Sequence, residues 1–344
     1  MGEVLDRFDY LNFHELYKDF DKIDLGYDIC EAKNPKVMYT IYSEDQIAEY
    51  GVVWLKIVYK EEIQWNYFLV EGWRRIIVKI NIVNFDTSKF ELFDLIMVQK
   101  EVGGGVTSKE EIDTIRKYPE AKSLIISGLK QDTFEYLIEN YGHQFDAISF
   151  WKNKLVNDLS CLSKLNNIKY IHYFFNQKVE GLWDMTNNSS LKGLALYDFS
   201  RLHTFDKIEF APDLEYFAAG NRVWSKMEIA SLKPLINSTV THFGWFGYKV
   251  RDNDYMCLSQ SNIVEIDMSI MRFTMEELAR IITSIPNLRG TITRPYKEGS
   301  ISKENVKTTY YFLCKGKRTL IKGKDDDKLK KYLEDFERLL EIHK

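Results

Sequence analysis

The feature that most constrains this chain is a recurring apolar triplet, in which one apolar residue is followed by others three and five positions on. It occurs at Phe145/Ile148/Phe150, Ile168/Ile171/Tyr173, Leu191/Leu194/Leu196, Leu214/Phe217/Ala219, Val240/Phe243/Trp245 and Ile263/Ile266/Met268. A weaker copy, Ala121/Leu124/Ile126, precedes these, and a degenerate one, Leu288/Thr291/Thr293, follows. Successive copies start 24, 23, 23, 23, 26, 23 and 25 residues apart. A single triplet means little in a chain that is 45% hydrophobic, but a run of them in phase does. A compact domain has no reason to space its strands evenly. A stack of similar units must, because each unit buries its apolar face only against the next. The second half of each period carries further apolar residues, such as Leu155, Leu159, Leu162 and Leu165, and then a polar turn such as Asn166-Asn167 or Pro212-Asp213.

These residues resemble the leucine-rich repeat in its short, bacterial form of about 23 residues, whose strand segment reads LxxLxLxxN. Asn153 and Asn176 fall at the asparagine position, while Phe199 and Arg222 stand there in the next two copies. The resemblance covers residues 119–297. It implies an α/β repeat solenoid, a curved array with parallel strands on its concave face and loops, short helices or 3₁₀ turns on the convex side. It also implies that the asparagine amides satisfy backbone groups at the turn out of each strand.

Such an array exposes an apolar face at each end and needs caps. Residues 1–118 do not follow the period and read as an N-terminal α+β capping domain. Residues 14–20 predict a helix, and residues 52–59, 64–70 and 76–83 predict strands of a small sheet, rich in β-branched and aromatic side chains. Ser108-Lys109-Glu110-Glu111 matches a capping box, which predicts a helix start. Residues 298–344 read as a C-terminal cap. There, residues 309–313 and 318–321 flank Lys315-Gly316-Lys317 as a hairpin, and a helix over 328–343 places Leu329, Tyr332, Leu333, Phe336, Leu339 and Leu340 on one face.

Composition excludes several classes of function. The net charge is −4, and the densest basic cluster, Lys315, Lys317, Arg318, Lys322 and Lys324, reads as a solvated hairpin rim; nucleic-acid binding is not expected. No segment supplies the ~20 apolar residues of a membrane helix, and residues 1–9 lack the apolar core of a signal peptide. The four cysteines are scattered with no CxxC pair, which suits a reducing, cytoplasmic setting. Gly103-Gly104-Gly105 lacks the spacing of a phosphate loop. His172 and His242 lie three repeats apart, roughly 14 Å at ~4.8 Å per strand, too far to share a metal ion. With no GxSxG, HExxH or dinucleotide fingerprint either, neither an enzyme nor a cofactor or metal is expected.

Side chains alternate across a strand, so positions two, four and six of each copy face away from the buried triplet. Trp151, Phe174 and Tyr197 then form a ladder on three consecutive strands, with Tyr170, Phe175, Tyr216 and Phe246 around it. His172, His242, Glu265 and Asp267 add polar groups to the same face. Glu265 and Asp267 alternate as a carboxylate pair, but no base or nucleophile accompanies them, which makes them partner-facing rather than catalytic. Seven aromatic side chains of ~150–250 Å² each make a patch well beyond the ~300–600 Å² that monomers ordinarily expose. The sequence thus points to non-enzymatic recognition of another protein on the concave face, and pairing of two copies there is compatible with it. Folding of the chain's own ends onto that face is the competing reading. Two further readings stay open: an enzymatic or ligand-binding N-terminal domain targeted by the repeats, and a toxin-neutralising inhibitor.

Overall fold

The computed structural model describes residues 93–99, 105–221, 223, 226–303 and 306–344, together with the backbone of six strands between Cys30 and Asn81. The expected helix at 14–20, Gly103-Gly104 and Arg222 lie outside the described residues. The first five strands are β1 (Cys30–Glu31), β2 (Met38–Ile41), β3 (Val52–Tyr59), β4 (Glu62–Leu69) and β5 (Gly72–Ile76). They pair antiparallel in chain order, with Tyr59 opposite Glu62 and Leu69 opposite Gly72, the register of two-residue hairpins. The segment read as one strand at 76–83 is divided. Ile76 ends β5, and Ile80–Asn81 (β6) joins a different sheet.

That second sheet is parallel throughout. After β6 it takes in β7 (Leu95–Met97), β8 (Ser123–Ile126), β9 (Ala147–Trp151), β10 (Tyr170–Asn176), β11 (Gly193–Phe199) and β12 (Tyr216–Gly220) in chain order. The short strand β13 (Glu228–Ile229) stands apart and pairs with β15 (Lys249–Val250), while β14 (His242–Phe246) and β16 (Glu265–Met268) complete the sheet. Register follows the sequence period, with Ile148, Ile171, Leu194, Phe217, Phe243 and Ile266 side by side. Neighbouring parallel strands need a crossover, and the second half of each period supplies it. The crossovers hold helices α1 (Lys109–Ile112) and α2 (Gln131–Tyr141) and 3₁₀ turns at Ser160–Lys164, Ile208–Phe210, Lys233–Leu235 and Met256–Gln260. Every triplet residue from Ala121 to Met268 is at most 3% exposed, so the spacing does mark the core. The sheet also extends ahead of residue 119, because Leu95 and Met97 are buried beside Leu124 and Ile126.

The eighth copy is not a strand. Arg289 makes one bridge to Glu265, the chain turns at Gly290, and residues Thr291–Thr293 form a 3₁₀ turn. Two threonines at core positions would bury hydroxyls, and the turn buries Ile292 instead. Helix α3 (Met275–Ser284) follows from a capping box of Thr274 and Glu277. The expected hairpin is present as β18 (Val306–Leu313) and β19 (Leu320–Ile321), with β17 (Tyr296–Lys303) on its other side. Its basic cluster is exposed at the rim. Helix α4 (Asp326–His343) buries Leu329, Tyr332 and Phe336 in the same core as the strands. The Tyr332 hydroxyl donates to the Pro295 carbonyl (2.8 Å), and His343 meets Glu276 of α3 (2.7 Å).

The capping box read at Ser108 is formed. Its Oγ accepts from the Glu111 amide (3.2 Å), and the Glu111 carboxylate accepts from the Ser108 amide (2.8 Å). Just beyond, Asp113 Oδ1 accepts from the hydroxyls of Tyr141 (2.5 Å) and Tyr136 (2.7 Å), and Oδ2 pairs with Arg116 (2.8 Å). The Tyr141 bond, then the Tyr136 bond, hold this carboxyl below its usual 3.8. A depressed folded pKa gives stability that is complete above the unfolded value and lost as pH falls through the folded one. Thermal melts taken from about pH 5 down to pH 2 should therefore fall less steeply for Asp113→Asn than for the native chain. Equal acid limbs would show that the clamp contributes nothing.

Candidate protein-recognition face

The face of the parallel sheet opposite the core is built by register alone. One row runs Ala147, Tyr170, Gly193, Tyr216, His242, Glu265; a second runs Ser149, His172, Ala195, Ala218, Gly244, Asp267; a third runs Trp151, Phe174, Tyr197, Gly220, Phe246. All three rows hold the residues that alternation assigned to this face. Trp151 and Phe174 pack with ring centroids 4.4 Å apart, His172 lies 5.8 Å from Tyr197, and Tyr216 stacks on His242 at 4.5 Å. Glycines decide how the rings lean. A Cβ on Gly193 would sit 2.9 Å from the Tyr170 ring, and one on Gly244 would sit 2.9 Å from the Phe246 ring. Phe246 thereby reaches Tyr197, two strands away, at 6.4 Å across the bare backbone of Gly220.

The polar groups form a continuous end to the face. Thr241 Oγ1 lies 2.8 Å from His242 Nδ1, and His242 Nε2 lies 3.7 Å from Glu265 Oε2. Arg289 Nε approaches the same carboxylate oxygen at 3.7 Å. Asp267 accepts from the Thr291 amide at 2.9 Å, and Ser149 Oγ meets His172 Nδ1 at 2.7 Å. Glu265 and Asp267 are thus tied into separate contacts rather than converging as a carboxylate pair. Arg289 was not expected here; it follows the first residue of the degenerate eighth copy, and that place in the period was its available signal.

Burial divides the expected residues into two groups. Tyr197 is fully buried, and Phe174, Glu265 and His242 are 2%, 5% and 8% exposed. Trp151, Tyr170, His172, Phe175, Tyr216, Phe246 and Asp267 are half-buried. Two rungs of the ladder are therefore interior to the folded chain. At the N-terminal end of this face, Ile96, Val98 and Ile125 form a second apolar cluster, distinct from the main core, with Phe93 and Trp151 packed against it. Strict alternation would send Phe175 inward. Instead Lys152, Phe175 and Asp198, at the same place in three successive copies, have φ of 56°, 65° and 56°. This left-handed step keeps Phe175 beside Phe174 (6.4 Å) and returns Asn153, Asn176 and Phe199 to the interior, fully buried.

The asparagine expectation is met in detail. Asn153 Oδ1 accepts from the Leu129 amide (2.8 Å) and its Nδ2 donates to the Ile126 carbonyl (2.9 Å). Asn176 joins two turns, its Nδ2 donating to the Val156 carbonyl of the preceding one (2.8 Å) and its Oδ1 accepting from the Val179 amide of its own (2.8 Å), and Phe199 fills the slot beyond it. A third buried amide, Asn188, accepts from Trp183 Nε1 (2.8 Å) and donates to the Leu162 and Leu165 carbonyls. It lies outside the strand motif, so the repeat pattern carried no sign of it.

On the opposite side, Asp158, Lys178, Glu180, Arg201 and Lys207 line an open groove of about 610 Å³ over Trp183, with Arg201 and Glu180 paired at 3.4 Å. Burial, with help from nearby acids, pushes the Cys161 and Cys257 thiols up to about 12, far from reactive thiolates. Among the described residues, no three His, Cys, Asp or Glu side chains gather to hold a metal ion, and no helix is long and apolar enough to cross a membrane.

No family model matches this chain, and no curated protein does. Among solved structures, an internalin from Listeria monocytogenes is similar at a TM-score of 0.32 and 15% sequence identity. The match takes in 54% of this chain and 64% of that one, so the chain spans less than two thirds of the neighbour's length.

Proposed function

We propose that this chain is a non-enzymatic recognition protein, a leucine-rich-repeat-type solenoid that binds another protein through the face of its parallel sheet opposite the core. The observation that carries the reading is the set of ring rows held in register on that face. Trp151, Tyr170, Phe175, Tyr216 and Phe246 are half-buried, and their orientations are fixed by neighbouring rings and by the glycines beneath them. Pre-oriented aromatic side chains give large contact areas at little entropic cost, which is why they dominate interface hot spots. The half-buried His172 and Asp267 supply the polar selectivity, and the buried His242 and Glu265 hold the end of the face behind them. Free thiols at Cys161, which is half-buried, and at the buried Cys257 and Cys314 suit a reducing compartment, and we take the cytoplasm as the setting.

The test is quantitative affinity capture from the native host, comparing the native chain with Trp151→Ala/Phe246→Ala. Loss of a hot-spot residue costs about 2 kcal/mol, or roughly 30-fold in affinity. One protein should co-purify in near-equal amounts with the native chain and be lost with the variant, while the variant keeps a cooperative melt. Undiminished capture by the variant would sink the reading.

A further inference from the structure

We infer that the N-terminal antiparallel sheet, β1–β5, packs over the N-terminal half of this same face and is the element that buries Ile96, Ile125, Phe174 and Tyr197. These four side chains point away from the main core, yet none is more than 2% exposed. Ile96 and Ile125 belong, with Val98, to an apolar cluster of their own on that side of the sheet. In-plane neighbours cannot close such a face from above. Tyr197 has Gly220 beside it and small Ala195 and Ala218 near by, so a separate layer must lie on it.

The described elements leave one candidate for that layer. Helix α2 and the 3₁₀ turns contribute Phe134, Leu137, Leu162, Ile208, Leu235 and Leu258 to the main core, on the opposite side. Helix α4 and strands β17–β19 are committed to the far end of the array, against α3 and Pro295. The antiparallel sheet is tethered at the correct end. Residues 77–79 alone separate β5 from β6, so Ile76 lies within about 14 Å of the first array strand. Five strands at ~4.8 Å and up to eight residues at ~3.4 Å make a sheet of about 19 by 27 Å. The span from β7 to β11 is four strand spacings, again about 19 Å, so the cover matches the buried region in size. Two sheets packed face to face with an apolar layer between them form a standard sandwich.

The consequence for recognition rests on the proposed function: a partner engaging Trp151, Tyr170, Phe174, Phe175 or Tyr197, all on β9–β11, must displace β1–β5, whereas Phe246 on β14 lies outside the four strand spacings that the cover spans. The cover itself is tested without any partner. The photo-crosslinker p-benzoylphenylalanine is placed in the full chain at Trp151 or, separately, at Phe175, with a control at Phe210 on the opposite side. After irradiation the monomer fraction is digested and the linked peptides are read by mass spectrometry. The expected result is intramolecular links from both test positions to residues 30–76, and none from Phe210. Links only between copies, links to other parts of the chain, or no links from either test position would overturn the inference. A cover that forms while partner capture fails would sink recognition alone, and intact capture with no such links would sink the cover alone.

Discussion

Replacing Asn176 by leucine should cost the array on the order of 4 kcal/mol, close to the largest loss expected from one buried polar side chain. Asn176 is fully buried. Its Nδ2 donates to the carbonyls of Val156 (2.8 Å) and Asn153 (3.1 Å), and its Oδ1 accepts from the amides of Lys178 and Val179 (both 2.8 Å). Leucine has the same number of side-chain heavy atoms and none of these bonds, so the Val156 carbonyl and the two amides would lose their partner, while the Asn153 carbonyl keeps its bond from the Tyr173 hydroxyl (2.7 Å). An unmade buried hydrogen bond costs about 1–3 kcal/mol per group, and partial relaxation of the turn limits the total. Asn153 holds one amide and one carbonyl of the preceding turn, two groups against three, so Asn153→Leu should cost about two thirds as much. Urea denaturation followed by circular dichroism checks both values. If the two variants fall equally, or if Asn176→Leu costs less than about 1 kcal/mol, the asparagines are passengers in this fold.

The period was legible because every triplet residue has the same job, and a one-residue slip would put an apolar side chain on the wrong face. The C-terminal helix could be read for the same reason, since Leu329, Tyr332 and Phe336 share a face and are the residues it buries. The N-terminal limit of the sheet was obscured by uneven spacing. Leu95 stands 29 residues before Leu124 and Ile80 only 15 before Leu95, so neither shows in a 23-residue register. The left-handed step at Lys152, Phe175 and Asp198 has no residue signature, because lysine and phenylalanine are not residues that favour it. Burial of Phe174 and Tyr197 was illegible for a different reason. Alternation assigns a side chain to a face, but what lies on that face is a tertiary property. The aromatic composition of the site was thus readable, and its accessibility was not.

Gly220→Ala should loosen the array at the β12–β14 junction, at a cost of about 3 kcal/mol or more. Gly220 has φ +149°, a conformation that side chains with a Cβ rarely adopt. An added Cβ would also lie 2.3 Å from Gly247 N and 2.3 Å from Phe246 C, both backbone atoms that cannot rotate away. The strands must part there, and Phe246 would lose its place beside Tyr197. In a stack of repeats, stability is close to a sum of units and nearest-neighbour interfaces. Weakening one junction therefore uncouples the strands before it from those after it. The urea transition should broaden or divide, and amide exchange should accelerate in β14 while β9 and β10 keep their protection. Gly316→Ala is the control, since Gly316 also has positive φ (+80°) but open space around it. It should cost about 1 kcal/mol, the left-handed penalty alone, and leave the transition single. Equal losses for the two variants would mean that the close approach at Gly220 is not what holds the two halves in register. A divided transition that spares partner capture would instead place recognition wholly on one side of that junction.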